Sequence, residues 1–302
     1  MNYVVMMSTN IMAKANRVYK TKVPVTKNQQ VEAEVVDITY QGMGVIKIDN
    51  FPIFVIDAIP GEVVQVGITK VLKSYAFGRV IKRVKASPNR AENVDKVAIT
   101  TGIAPLANLK YEAQLTFKQR QVEQLFKKVN VSVEVNPTIG MTDPTKYRNK
   151  AQVPVQMVNG QLETGFYRRG SHKLMPVEDF YIQDPKVDEA VSVTRDVLRD
   201  LGISAYDEET HKGVVRHIMA RRGFYSHELM VVIITNTKKL PEADNIAAAL
   251  RAKLPELKSF IHNINNHDTN VIMGQWNETV WGADEIHDQL MGRSEEHTSE
   301  LQ

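Results

Sequence analysis

Seven basic side chains, Lys70, Lys73, Arg79, Lys82, Arg83, Lys85 and Arg90, fall in a segment that contains no Asp or Glu. In β-rich sequence such a run suits one kind of partner, a polyanion whose charges it can neutralise. Tyr75 and Phe77 lie inside the run and offer ring faces for stacking. Further cations follow in pairs: Arg148 with Lys150, and Arg168 with Arg169, close to His172. Arg216, His217, Arg221 and Arg222 then share one predicted strand, which leaves a basic face and an ordinary solvated face both open. The candidate nucleic-acid contacts are therefore Lys70, Lys73, Arg79, Lys82, Arg83, Arg148, Lys150, Arg168 and Arg169.

Other chemistry is excluded or finds no support. The 302 residues contain no cysteine, which rules out disulfides, thiolate nucleophiles and thiolate-held metal clusters. Eight histidines are scattered, and His211 and His217 lack companions at metal-ligand spacing, so no metal site is expected. Residues 1–150 carry 22 Lys and Arg against 12 Asp and Glu, whereas residues 151–302 carry 16 against 23. The basic first half again favours a polyanion. No apolar run reaches the ~18 residues of a membrane span. A secretory leader is not evident, so a cytoplasmic protein without a membrane partner is expected, and a monomer.

These side chains need elements to hold them. Residues 1–27 read as a polar, basic, flexible lead-in. Residues 28–86 read as a small all-β barrel of the OB type. VEAEVVDI (31–38) alternates, Gln41-Gly42 and Asp49-Asn50 make turns, and FPIFVIDA, EVVQVGITKVL and FGRVIKRV supply further strands. Residues 87–292 read as an α+β domain with a mainly antiparallel sheet. Its helices are predicted over 111–129, over 186–201 with Gly202 as the cap, and over 241–254 with Pro241 at the start. Asn159-Gly160 marks a hairpin between QVPVQMV and QLETGFY. Val131 onwards, TNVIMG (269–274) and ETVWG (278–282) are expected as strands.

Several stretches carry a resemblance: TGIAPLANLKYEAQL (101–115), YRNKAQVPV (147–155), GFYRRGSH (165–172), KGVVRHIMARRGF (212–224) and INNHDTNVIMG (264–274). In this order, after a basic barrel, they resemble the RumA-type family, bacterial ribosomal RNA uracil-C5 methyltransferases with an N-terminal TRAM domain. The likeness spans about residues 28–292. It implies an RNA-binding TRAM barrel, ribosomal RNA as partner and S-adenosyl-L-methionine as cofactor. It also places Arg148 and Lys150 near the RNA and its flipped base. A transfer RNA relative, or a stand-alone RNA-binding protein, are the alternatives.

Two departures shape the expectation. Many members hold an iron–sulfur cluster on a C-x5-C-G-x-C pattern with a later fourth Cys. Those positions are Asp95, Thr101, Ala104 and Phe180 here, so no cluster is expected, and packing by Ile103 and Leu106 must hold the loop. The family's chemistry is done by a Cys and a carboxylate base in a C-terminal, Rossmann-like domain. The sequence shows neither Cys nor Gly-rich cofactor loop. The fold expected is thus a barrel followed by an α+β domain, with the Rossmann-like methyltransferase domain missing, catalytic residues and cofactor-binding residues none, and methyl transfer absent. Helix 111–129 is expected to face that missing domain. RSEEHTSELQ (293–302) resembles the in-frame translation of a common sequencing adapter and is set apart as a non-native tail.

Overall fold

The computed structural model describes residues 23–92 and 94–298. Residues 1–22 of the expected lead-in, and the last four of the tail, lie outside the described residues. Six strands come first: β1 (Gln30–Glu34), β2 (Asp37–Ile38), β3 (Met43–Ile48), β4 (Phe51–Ile56), β5 (Val63–Val71) and β6 (Ala76–Lys85). They form one sheet in the order β1-β5-β6-β4-β3-β2. The stretch joining β1 to β2 closes it. Val35 N donates to Glu62 O, while Val36 N donates to Val45 O, so one segment borders both ends of the sheet. Alternation explains the interior: Val64, Val66 and Ile68 of β5 and Ile53 and Val55 of β4 are buried with Ile46 and Ala76. The alternation predicts five strands over this stretch; the first is divided where it changes partner.

A short α1 (Lys96–Thr101) and the long α2 (Tyr111–Lys128) follow. Asp95 caps α1 by accepting Val97 N at 2.7 Å. Phe117 anchors α2 against Ile38, Ile59 and Leu109, and beyond it Val122, Leu125, Phe126 and Val129 are exposed. The alternating VSVEV (131–135) belongs to no ladder; residues 131–149 are irregular, apart from the bridge between Arg148 and Gln183.

The second sheet has seven strands in the order β13-β12-β11-β10-β7-β8-β9. They are β7 (Lys150–Val158), β8 (Gln161–Tyr167), β9 (Leu174–Pro176), β10 (Val215–Arg222), β11 (Leu229–Thr235), β12 (Leu257–Ile264) and β13 (Trp276–Gly282). Asn159 and Gly160 both take positive φ in the β7–β8 turn, as an Asn-Gly hairpin requires. Helix α3 (Pro185–Asp200) lies between β9 and β10, and α4 (Ala243–Lys253) between β11 and β12. Both pack on one face, where Val153, Ile218, Val231, Ile233 and Phe260 meet Val187, Val191, Leu198, Ile246 and Leu250. The other face buries Met219, Met230, Val232, Ile234 and Ile261 with Ile286.

The sheet expected as mainly antiparallel contains one parallel pair. β11 and β12 run parallel, with α4 as their crossover, so the domain contains a β-α-β unit. Residues 269–274 are loop, not strand. Side chains take up the backbone groups there instead: Arg216 donates to Asn265 O, His267 O and Thr269 O at 3.0, 2.6 and 3.1 Å, Asn265 Nδ2 to Val271 O and Ile272 O, and Asn263 Nδ2 to Gly274 O. Finally β14 (Glu285–Leu290) pairs with β15 (Arg293–Thr298), so residues 293–298 form a strand.

Candidate nucleic-acid interface

The outward face of β4, β5 and β6 carries large side chains where a barrel surface is usually polar. Phe54, Tyr75 and Phe77 form a triad with ring centroids 5.5 to 6.0 Å apart. Ile56 and Ile81 are exposed beside them. Lys70 and Arg79 flank the rings, and across a gap stand Arg168, Arg169 and Gly170 of the β8–β9 turn. Between these walls runs an open cleft of about 1440 Å³, with Tyr40, Gln41, Gly102 and Pro105 at one end. Cations on both walls and stackable rings on one wall fit a single nucleic-acid strand, whose phosphates and bases need both.

The β8–β9 turn of the far wall rests on the end of α1 and the loop after it. Gly102 ends α1 in the left-handed conformation, φ +81°, and Arg169 lies against it. Arg169 N donates to Thr100 O at 3.1 Å. Burial pushes the Arg169 guanidinium down from its ordinary range, and no carboxylate ion pair offsets this among the described residues. The loop reaches both cores: Ile103 packs on the central core and Leu106 on Ile38, Ile59 and Phe117. Of the positions that the family resemblance equates with cluster ligands, Asp95 caps α1, Thr101 Oγ1 donates to Val97 O at 2.6 Å, and Phe180 is buried edge-on against Phe166.

The structure sorts the sequence candidates. Lys70, Arg79, Arg168 and Arg169 converge on the cleft. Lys73 is exposed in the β5–β6 turn and Lys82 on β6, neither lining it. Arg83 is drawn inward: its Nε lies 2.8 Å from Glu62 Oε1. Arg90 joins it, with Nε 2.6 Å from the same oxygen, and both pair with Asp57. Burial alone would raise the Glu62 carboxyl, but hydrogen bonds from Arg90 and Ile59 N and the two guanidinium charges hold it below its usual range. Arg222 is paired with Glu256 and Asp184, and Arg216 is buried over the Tyr206 ring. Arg148 and Lys150 stand apart, at the start of β7, where Lys150 faces Arg221 across the ladder. Burial, then the charges of Arg221 and Arg148, lower the Lys150 ammonium below its ordinary value. His172 accompanies the cleft from behind: its Nδ1 lies 2.6 Å from Glu208 Oε2 and ties down the turn that carries Arg168 and Arg169.

Sequence reasoning missed Phe54. Its signal was available, since in FPIFVI the inward positions are Ile53 and Val55, and an aromatic at the outward position between them has no core to fill.

The β11–α4–β12 unit is the place in the second sheet where an adenosyl cofactor would be sought. Its connecting loop, NTKKLPE (236–242), has no glycine for close backbone approach, and Glu242 and Asp244 crowd the helix start with negative charge. These residues do not fit a nucleotide cradle.

Residues 24–81 match the TRAM domain. An uncharacterized RNA methyltransferase of Lactiplantibacillus plantarum is 53% identical over 274 residues, covering 90% of this chain and 60% of the relative. One from Streptococcus agalactiae is 43% identical over 270 residues, covering 89% and 60%. The crystal structure of Pyrococcus abyssi tRNA (uracil-54, C5)-methyltransferase with S-adenosyl-L-homocysteine superposes with TM-score 0.65 at 19% identity, over 89% of this chain and 60% of that one. The chain thus spans about 60% of the length of the curated relatives it matches. One expectation is overturned. A fold class defined by a missing Rossmann-like domain does not stand, because 89% of the chain shares its fold with a methyltransferase chain. The expected inactivity rested on that missing domain and on the absence of cysteine, and the first of these grounds falls. Residues 24–81 form a TRAM domain, in a chain similar over nine-tenths of its length to bacterial RNA methyltransferases.

Proposed function

We propose that this chain grips RNA for an S-adenosyl-L-methionine-dependent uracil-C5 methyltransferase, and that a single strand lies in the cleft between the TRAM barrel and the β8–β9 turn. The observation that carries the reading is the meeting of Lys70 and Arg79 with Arg168 and Arg169 around Phe54 and Phe77, against which Tyr75 packs edge-on. Phosphates take the cations of either wall, and unstacked bases take the rings. In the whole enzyme the donor would supply the methyl group taken up at uracil C5, while the residues described hold the RNA. Ribosomal RNA is the proposed substrate, on the family resemblance. The likeness to a tRNA methyltransferase supports transfer RNA as the second reading.

Fluorescence anisotropy with single-stranded oligoribonucleotides tests this. The slope of log affinity against log salt falls by about 0.7 for each phosphate that the protein no longer neutralises. Lys70→Ala with Arg79→Ala is expected to reduce it by about 1.4, and Lys73→Ala to leave it nearly unchanged. Equal slopes for all three proteins would remove the cleft as the site. Competition between ribosomal and transfer RNA fragments separates the two substrates.

A further inference from the structure

A second feature resembles a binding device and lies outside the cleft. The turn after β10 presents Phe224 and Tyr225 to solvent, 66% and 63% exposed, with their rings perpendicular and 4.9 Å apart. Exposed aromatics on a loose turn would mean little. This turn is fixed by one carboxylate. Asp288 of β14 accepts the backbone N–H groups of Phe224, Tyr225 and Ser226 at 2.7, 2.9 and 3.4 Å. Ser226 Oγ donates to His287 O at 2.5 Å, and Gly223 N donates to Glu228 O at 2.9 Å. This web of polar groups holds out two rings that meet edge to face while staying open to solvent.

The surroundings indicate the partner. The tip leaves β10 immediately after Arg221 and Arg222. Arg222 N donates to Asn149 O, and Arg221 stands opposite Lys150, with Arg148 two residues earlier. Lys150 feels the positive charge of both Arg221 and Arg148. A rigid aromatic pair beside gathered cations is complementary to a strand whose bases are unpaired and whose phosphates run alongside.

We infer that Phe224 and Tyr225 stack on an unpaired RNA base, with Arg148 and Lys150 on its flanking phosphates and Asp288 as the positioning residue that holds the rings out. This rests on the RNA reading proposed above, and it predicts a base-reading site separate from the cleft.

The test uses the full chain, an oligoribonucleotide carrying 2-aminopurine, and Phe224→Ala with Tyr225→Ala. Both positions are exposed, so the variant is expected to fold. Stacking quenches 2-aminopurine, and the wild type should quench it. The double variant should lose the quenching and bind single strands roughly tenfold more weakly, while binding duplex RNA within about twofold of wild type, duplex bases being already stacked. Wild-type binding with no loss in the double variant overturns this inference alone, and leaves the tip to a protein partner. Absence of any RNA binding by the wild type overturns the RNA reading and this inference together.

Discussion

Arg169 rests on Gly102 so closely that a Cβ at Gly102 would lie 2.6 Å from its Nε. The glycine also holds φ +81°, which other residues adopt at a cost. Gly102→Ala should therefore do two things at once. It should lower stability by about 1–2 kcal/mol through the backbone alone. It should also displace the guanidinium and weaken RNA binding several-fold. Urea unfolding and anisotropy read the two effects separately, and a variant with wild-type affinity would show that Arg169 does not touch RNA.

The Glu62 carboxylate is fully buried and carries most of the ionic load at the barrel's end. Arg90 holds it through two aligned bonds, Nε to Oε1 at 2.6 Å and Nη2 to Oε2 at 2.9 Å. Arg83 approaches the same oxygen through one nitrogen. Removing one partner of a buried pair typically costs about 3–5 kcal/mol. Arg90→Leu is expected in that range and Arg83→Leu well below it. Chemical denaturation of the two variants would decide, and the reverse order would contradict the assignment.

Asp188 and His217 oppose one another in pH. Burial raises the Asp188 carboxyl to about 6, in spite of bonds from Phe180 N and Gln183 Nε2. Burial, helped by the charge of Arg216, lowers His217 to about 4. Folded Asp188 keeps its proton up to about pH 6, whereas the unfolded residue releases it near its ordinary value of 3.8. Its ionisation thus erodes stability as pH rises through that window. Folded His217 stays neutral, whereas the unfolded ring takes a proton below 6.5, so stability is lost as pH falls from there towards 4. Two pH units at one site amount to about 3 kcal/mol. Denaturation midpoints between pH 7 and 4 should fall more steeply on acidification in Asp188→Asn than in wild type. In His217→Gln they should fall less steeply. Parallel profiles for all three proteins would refute both assignments.

Val122, Leu125, Phe126 and Val129 form an exposed apolar stripe on the second half of α2 and its cap. Stripes of this kind promote association. Leu125→Glu with Val129→Glu is expected to reduce hydrophobic-dye binding and concentration-dependent association, with a change in thermal midpoint no larger than a few degrees. Unchanged dye binding would place the sticky surface elsewhere.

The parts legible in the sequence were those set by local pattern. Alternation and turn residues marked the barrel strands, Asn159-Gly160 marked the β7–β8 hairpin, and Gly202 marked the end of α3. What local pattern does not carry is the choice of partner. VSVEV alternates like a strand but finds no neighbour to pair with. The helix between β11 and β12 was legible, but not that it carries the chain across the sheet to a parallel neighbour. The candidate site divides in the same way. Lys70, Arg79, Arg168 and Arg169 were recognisable as cations. Their meeting depends on the loop at 101–109, and Arg83 left the set because Glu62 is buried beneath it.

That loop has a thermodynamic consequence. It sends Ile103 into one hydrophobic core and Leu106 into the cluster under the barrel, and Pro105 lies against Gly42, where no Cβ could fit. Neither unit can lose its core without freeing the segment that helps complete the other. The barrel and the central domain should therefore melt as one cooperative block, giving a single calorimetric peak where two tethered modules would give two.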